Sequence, residues 1–287
     1  MKGEYRKGFL LTLAGVLAFT PDALLIRLTA VDAFTLAFGR GLLGGFVILL
    51  GYVCFVRGGF WLAVRRLGRW GIFVACLQAT CSIIFYCAFS YTSVANVLII
   101  FACTPLIAAV LSRILYGERV VRATRWAILG AAFGLMMVAS GSLGGIQWYG
   151  DSLALANAVL LALLYTILRG HREINMVPAA AVGLFLAAAL SAPFALFPVM
   201  DSMQWLWLGA GGLLVVPLAL VLMTLGPRYL PAPEVAMLTL LEAVLAPLWV
   251  WWVIGENPGW RTIVGGTIVI CVLLVHSAVR LRREPRG

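Results

Sequence analysis

Charged residues are scarce in this 287-residue chain. They make up only 11% of the sequence, against about 25% in soluble domains, while hydrophobic residues make up 63%. Lysine occurs only at Lys2 and Lys7. A GxxxxGK[ST] phosphate-binding loop is therefore excluded, and with it ATP hydrolysis of the P-loop kind. So few charges cannot cover the surface of a water-soluble fold, and the composition indicates a chain that lies largely in lipid.

Motifs for metals, cofactors and disulfides are also missing. The six cysteines, at positions 54, 76, 81, 87, 103 and 271, form no CxxC pair, and His171 and His276 belong to no HExxH motif. We therefore predict no metal, no cofactor and no enzymatic activity. The formal net charge of +10 does not indicate a nucleic-acid partner, because the basic residues flank apolar segments.

Ten apolar segments occupy most of the sequence. Each is about 18–23 residues long, enough for a helix to cross a hydrocarbon layer of about 30 Å. Their apolar runs are continuous and lack the alternation of a membrane β-barrel. We predict an all-α integral membrane protein with ten transmembrane helices, spans one to ten, near residues 8–27, 34–56, 71–90, 94–115, 126–143, 151–168, 176–198, 205–226, 233–254 and 261–279.

The distribution of basic residues predicts the orientation, because cytoplasmic loops are enriched in Lys and Arg. With ten spans and a cytoplasmic N-terminus, only Arg27 and Arg261 face outside, and Arg40 falls within span two. We therefore predict a multi-pass plasma-membrane protein with both termini in the cytoplasm. The remaining 18 of the 21 Lys and Arg residues lie on the cytoplasmic side: Lys2, Arg6, Lys7, Arg57, Arg65, Arg66, Arg69, Arg113, Arg119, Arg122, Arg125, Arg169, Arg172, Arg228, Arg280, Arg282, Arg283 and Arg286.

The sequence also repeats itself weakly. A shift of 138 residues lays Tyr91–Glu118 over Tyr229–Glu256, and a shift of 142 residues pairs Gly8 with Gly150. Both matches divide the ten spans into two sets of five. Because five is odd, the second set must cross the membrane in the opposite sense to the first, as in the inverted repeats of secondary transporters. An old duplication without any transport cycle is the alternative.

Two five-helix units follow from this division: residues 1–147, and residues 148–287 with a basic cytoplasmic tail. Several short motifs occur in a fixed order along the chain. Through their order and spacing the chain resembles the drug/metabolite transporter superfamily, of the EamA type with ten spans and two repeats. The motifs are Arg40-Gly-Leu-Leu, Tyr91-Thr-Ser-Val-Ala-Asn96, Thr104-Pro105-Leu106, Gly117-Glu118-Arg119 and Gly255-Glu256.

The resemblance implies a secondary carrier of small metabolites, commonly amino acids or related compounds, often moved outward by alternating access. It implies a bacterial inner membrane, with the bilayer and a small-molecule substrate as partners, and leaves monomer and homodimer open. Two other classes stay open: an integral-membrane enzyme acting on lipid-linked substrates, and a sensor or scaffold without transport activity.

Three ionisable residues lie inside predicted spans, where a charge must face a cavity or a partner. Asp22 and Arg40 lie at matching depth on spans one and two, so they can form an ion pair. Arg40 could instead bind a substrate carboxylate with its planar guanidinium. Glu242 lies near the middle of span nine with no opposing charge at its depth. Burial favours the neutral form of such a carboxyl group, which suits proton coupling, although Glu242 could simply hydrogen-bond a neighbouring helix.

Polar residues at helical spacing suggest a substrate-binding cavity, although helix packing through polar groups is the alternative for each stripe. Pro105 and Pro247 each remove a helix hydrogen bond and are predicted hinges, with proline of no functional consequence as the alternative. The predicted substrate-binding residues, beside Arg40, are Gln78, Ser82 and Tyr86 on span three, Asn96 and Thr104 on span four, and Asn157 and Tyr165 on span six.

Overall fold

The fold is a bundle of helices. The computed structural model describes residues 2–56, 59–92, 97, 100–118, 120–139, 148–255 and 259–283, and no β-strand occurs among them. Within these residues we number thirteen α-helices: α1 Lys2–Phe19, α2 Asp22–Thr29, α3 Ala33–Phe55, α4 Phe60–Arg66, α5 Gly68–Tyr91, α6 Thr104–Tyr116, α7 Arg122–Ala139, α8 Trp148–Gly170, α9 Val177–Ser191, α10 Ser202–Ala210, α11 Val216–Leu225, α12 Ala232–Ile254 and α13 Gly259–Arg283.

The helices are those of a multi-pass membrane protein. In the part of the chain that the structure describes, seven helical stretches are long and apolar enough to cross a bilayer, and two shorter apolar helices accompany them. Every one of the ten predicted spans overlaps at least one helix. The all-helical membrane fold is therefore confirmed, whereas the count of ten crossings stays a prediction.

Two predicted spans are not continuous α-helices. Span one breaks at Thr20-Pro21, because proline cannot donate the next helix hydrogen bond, and α2 then begins at Asp22. Span eight changes to a π-helix over Gly211–Val215 before α11 continues it. Such irregular backbone is tolerated at membrane depth where it is buried in protein.

Two further segments differ from the continuous helices and loops that the sequence predicts. Span four is predicted from residue 94; residues 97, 100 and 101 are helical, a turn follows at residues 102–103, and α6 begins at Thr104. The loop expected over residues 57–70 contains the short helix α4. In span four a continuous apolar run conceals a turn in the backbone, whereas in the loop a short apolar run forms a helix of its own.

The helices of the two halves pack against each other in matching pairs. α5 contacts α8 and α9, and α11, at the corresponding place in the second half, contacts α1 and α3. Likewise α6 contacts α8, and its counterpart α12 contacts α1. The counterparts α3 and α9 pack on each other, and so do the counterparts α7 and α13. Exchanging the two halves therefore reproduces the same pattern of neighbours.

Close glycine contacts repeat in the same way. A Cβ added to Gly8 would lie against Tyr229 and 3.1 Å from Cγ of Leu230, and one added to Gly150 would lie 2.6 Å from Cβ of Thr92, beside the backbone of Tyr91. Tyr91 and Tyr229 are the residues that the 138-residue shift aligns. Gly117 and Gly255 both end their helices in the left-handed conformation, with φ of 67° and 80°. The weak sequence repeat thus corresponds to repeated contacts.

Gly150→Ala is expected to destabilise the protein by about 1–3 kcal/mol, because the new methyl group meets backbone atoms of Tyr91 that cannot move aside cheaply. Gly51→Ala is the matched control: it lies inside α3 with no atom within 4 Å of the added Cβ, so alanine should be neutral or stabilising. The measurement is thermal unfolding of the detergent-solubilised protein. Equal melting temperatures for the two variants would contradict the close packing at Gly150.

Candidate functional site

A cavity of about 120 Å³ lies among α1, α5, α6, α8, α11 and α12. On this scale about 10–15 Å³ holds one water molecule, so the cavity has room for several waters or a compact organic molecule. Seven of the residues that the sequence analysis singled out line it: Gln78, Ser82, Tyr86, Thr104, Asn157, Tyr165 and Glu242. The stripes predicted on spans three and six, together with Thr104 of span four, therefore line one cavity.

One wall of the cavity is the predicted stripe on α5. Gln78, Ser82 and Tyr86 share a helix face, and Nε2 of Gln78 donates to Oγ of Ser82 at 3.4 Å. Asn157 and Tyr165 on α8 line the same cavity, and both are buried. Helical periodicity of 3.6 residues is what turns these spacings of four and eight into a common face.

Glu242 contributes a carboxyl group from α12. It lies close enough to Tyr165 and Asp22 to interact with them electrostatically. No Lys, Arg or His among the described residues lines the cavity or forms an ion pair with Glu242. A carboxyl group in this position can take up a proton or meet a positively charged ligand.

Two more polar atoms on the cavity wall lack a partner. Oδ1 of Asn157 and Oγ1 of Thr104 are buried, and neither has a hydrogen-bond partner among the described residues. Most buried polar atoms in native structures are hydrogen-bonded, so unpartnered ones beside a cavity indicate groups that a ligand can satisfy. Asn157 and Thr104 are therefore candidate ligand contacts.

Aromatic rings form a large part of the remaining wall. Phe85 lies at the centre, with ring centroids 4.9 Å from Phe89, 6.0 Å from Phe19 and 6.3 Å from Phe101. The sequence analysis missed this cluster, although the four-residue spacing of Phe85 and Phe89 on the span that carries the polar stripe was a usable signal. These rings favour an apolar or aromatic ligand body.

The lining follows the internal repeat. The shift of 138 residues that aligns Tyr91 with Tyr229 also pairs lining residues of α5 with lining residues of α11. It likewise pairs lining residues near the start of α6 with lining residues of α12. The equivalent pairs are Gln78 with Val216, Ser82 with Leu220, Phe85 with Met223, Tyr86 with Thr224, Phe101 with Thr239, and Thr104 with Glu242. The cavity therefore lies where equivalent surfaces of the two halves face each other.

Asp22 and Arg40 lie together but outside the cavity lining. Nη1 of Arg40 donates to Oδ1 of Asp22 at 2.5 Å, and both side chains are almost completely buried. The guanidinium carbon of Arg40 lies 5.8 Å from the ring centroid of Tyr86, which itself lines the cavity. Their matching depth on spans one and two thus brings them into contact, while the substrate-binding role of Arg40 stays a prediction.

The backbone around Arg40 leaves little room. A Cβ added to Gly211, the first residue of the π-helix, would lie 2.7 Å from the guanidinium carbon of Arg40. On the same helix as Arg40, a Cβ at Gly41 would lie 2.7 Å from the carbonyl oxygen of Leu184. Adjacent glycines followed by Pro217 were the sequence signal for this irregular segment, and the sequence analysis did not use it.

The predicted hinge residues differ in their backbone surroundings. Pro105 is the second residue of α6, directly after the turn at residues 102–103. α12 stays helical through Pro247, and the side chain of Pro247 lies outside the described residues. Asn96, the remaining predicted site residue, also lies outside them. The hinge roles of both prolines stay predictions.

A second buried polar cluster, missed by the sequence analysis, joins four helices at the end of the bundle predicted to be cytoplasmic. The hydroxyl of Tyr5 donates to Oε2 of Glu234 at 2.7 Å, and Oγ1 of Thr124 donates to Oε1 of Glu234 at 3.3 Å. Thr124 also contacts Nε2 of His276 at 3.0 Å. α1, α7, α12 and α13 are thereby connected some distance from the cavity.

A family model matches the chain twice. The model of the EamA-like transporter family matches residues 6–140 and residues 148–278. The chain belongs to the EamA-like transporter family. The EamA unit thus occurs once in each half, as the repeated contacts indicate, and the resemblance to EamA-type drug/metabolite transporters is confirmed. EamA proteins are membrane transporters of small molecules.

The fold has a counterpart among solved structures. A structure titled "Crystal structure of protein" is similar to this EamA protein with a TM-score of 0.81, at 21% sequence identity, over 97% of this chain and 99% of that chain. No curated protein matches the EamA chain in a sequence comparison. The structural similarity shows the shared fold.

Arg40→Gln is expected to destabilise the protein strongly, by about 3–5 kcal/mol, because it leaves Asp22 as a buried carboxylate without its cation. The double variant Asp22→Asn, Arg40→Gln should recover most of this loss. Arg172→Gln is the control, since Arg172 and Glu173 form an exposed ion pair that contributes little. The measurement is thermal unfolding in detergent. A double variant no more stable than Arg40→Gln would contradict a mainly structural pair.

Proposed function

We propose that this protein is a secondary transporter that moves small metabolites, amino acids or related compounds, outward across a bacterial inner membrane by alternating access. The observation that carries the proposal is the cavity lined by equivalent positions of both EamA units. A cavity between two similar units is the arrangement in which one unit can rock against the other around a central site.

The two units are residues 1–147 and residues 148–287, in opposite orientations. Support comes from the excess of Lys and Arg on the predicted cytoplasmic side and from the matching helix contacts of the halves. In an inverted pair, the opening of one unit toward the cytoplasm corresponds to the opening of the other toward the outside. The turn before Pro105 and the helix around Pro247 are the places where we expect the walls to bend.

Glu242 is the proposed proton-binding group. It is the acidic residue of the described cavity lining, and the equivalent position of the first unit carries the uncharged Thr104. A carboxyl group that binds a proton on one side of the membrane and releases it on the other couples transport to the proton gradient. Gln78, Ser82, Tyr86, Asn157 and Tyr165 then hold the substrate beside it.

The direct test is transport into proteoliposomes that contain the full chain, with a mixed pool of metabolites measured by mass spectrometry with and without a pH gradient. We expect a small set of compounds to accumulate only when the gradient is present. Glu242→Gln should abolish this accumulation, because glutamine cannot bind or release the proton. Glu173→Gln, an exposed change of the same chemistry, should leave it intact. If no compound moves through the wild-type protein, the transport function is wrong.

The orientation is tested by cysteine labelling in a background without the native cysteines. Cysteines introduced by Ser142→Cys and Ser202→Cys should react with a membrane-impermeant thiol reagent added to intact cells. A cysteine introduced by Arg69→Cys should react only after the cells are opened. Labelling at position 69 in intact cells would reverse the orientation, and labelling at only one of positions 142 and 202 would contradict the five-plus-five division.

A further inference from the structure

We propose that the substrate is a compact primary amine with an apolar body, bound as its ammonium cation and lacking a free carboxylate. This inference rests on the proposed transport function and, within its small metabolites, assigns amines without a carboxylate in place of amino acids. It follows from three properties of the cavity: the sign of its charge, the hydrogen-bonding capacity of its unpartnered atoms, and its aromatic wall.

The charge of the cavity favours a cation. Among the described residues that line it, Glu242 is acidic and none is Lys, Arg or His. The guanidinium of Arg40 is not part of the lining: its carbon lies 5.8 Å from the ring centroid of Tyr86, and its Nη1 is paired with Asp22. A substrate carboxylate would therefore enter a buried site without a cationic partner, which is strongly unfavourable. An ammonium group meets an acidic partner in the same site.

The unpartnered hydrogen-bonding atoms of the cavity wall favour a substrate group that donates hydrogen bonds. Oδ1 of Asn157 is an acceptor, Oγ1 of Thr104 can accept, and neither has a partner among the described residues. The carboxylate of Glu242 accepts as well. A primary ammonium group carries three N–H donors and no acceptor, so it can satisfy all three types of site. A carboxylate or phosphate would place its own acceptor oxygens against the acceptor oxygens of Asn157 and Glu242.

The aromatic wall suits the rest of such a molecule. Four phenylalanine rings line the cavity, and the ring of Phe85 contacts each of the other three: Phe19, Phe89 and Phe101. Aromatic faces attract cations and pack well on flat apolar groups. The cavity volume of about 120 Å³ limits the occupant to a compact molecule. A small arylalkylamine has the required shape and charge.

Amine binding also specifies the two ions that are exchanged at Glu242, a proton and an ammonium ion. When the ammonium substrate leaves, the carboxylate takes up one proton, and when the next amine binds as a cation, that proton is released. One proton is thus exchanged for one ammonium ion, so charge balances at the site. Under this scheme the carboxylate of Glu242 is a substrate contact, and its loss impairs binding as well as coupling.

The test compares three compounds that share one aromatic body: 2-phenylethylamine, phenylalanine and 3-phenylpropionate. Binding to the purified full-length protein is measured by calorimetry, and exchange of labelled compound is measured in proteoliposomes. We expect 2-phenylethylamine to bind more than about tenfold tighter than phenylalanine, and 3-phenylpropionate not to bind detectably. Tighter binding of phenylalanine, or no binding of the amine, would overturn the inference.

Two variants of Glu242 separate this inference from the proposed function. Glu242→Gln should lose both binding and exchange of 2-phenylethylamine, while Glu242→Asp, which keeps the charge, should retain both more weakly. Melting temperatures and Glu173→Gln serve as controls for folding. If Glu242→Gln still exchanges the amine but loses gradient-driven accumulation, the amine contact is wrong and proton coupling stands. If wild-type protein binds the amine but transports none of the metabolite pool, the substrate class stands and the transport function fails.

Discussion

The absence of water from the hydrocarbon core is the constraint on which the whole arrangement depends. Each polar group there must find a partner within the protein or face a cavity. Thr29, Thr166 and Thr267 donate to the carbonyl oxygens four residues earlier on their own helices, at 2.6, 2.7 and 2.8 Å. Asp22 and Arg40 satisfy it only in part: Nη1 of Arg40 pairs with Oδ1 of Asp22, while Oδ2 of Asp22 and Nε and Nη2 of Arg40 have no hydrogen-bond partner among the described residues. The few polar atoms that do not satisfy it within the protein are therefore informative.

Two of those atoms, on Thr104 and Asn157, border the cavity, and irregular backbone lies beside the Asp22–Arg40 pair. The break at Thr20-Pro21 precedes Asp22, and the π-helix begins at Gly211 against the guanidinium of Arg40. Trp249, two turns beyond Glu242 on α12, donates through its indole nitrogen to Oγ1 of Thr20 at 2.9 Å. A displacement of α12 that moved Glu242 would thus act directly on the break in span one. The carboxyl group and the ion pair belong to mechanically connected helices.

The sequence predicted the helices and most polar lining residues because both depend on local regularities. A run of about 20 apolar residues has one stable conformation in a bilayer, and polar residues four apart on α5 necessarily share a face. The breaks at Thr20-Pro21 and residues 102–103 were not predicted, since an apolar run hides them and tertiary contacts decide whether a proline interrupts a helix. The cluster of Tyr5, Thr124, Glu234 and His276 could not be predicted either, because its members come from four distant segments.

The two halves are alike in packing and unlike in chemistry at the cavity. Gly8 and Gly150 make equivalent contacts, so duplication explains the scaffold. In the cavity lining, the counterpart of Gln78 is Val216, and the counterpart of Thr104 is Glu242. A symmetrical site would carry two carboxyl groups or none, and two buried carboxyl groups at close range would hold each other in different protonation states. One acid opposite a hydroxyl group avoids that conflict, so a single protonation event can determine whether the cavity holds a cation.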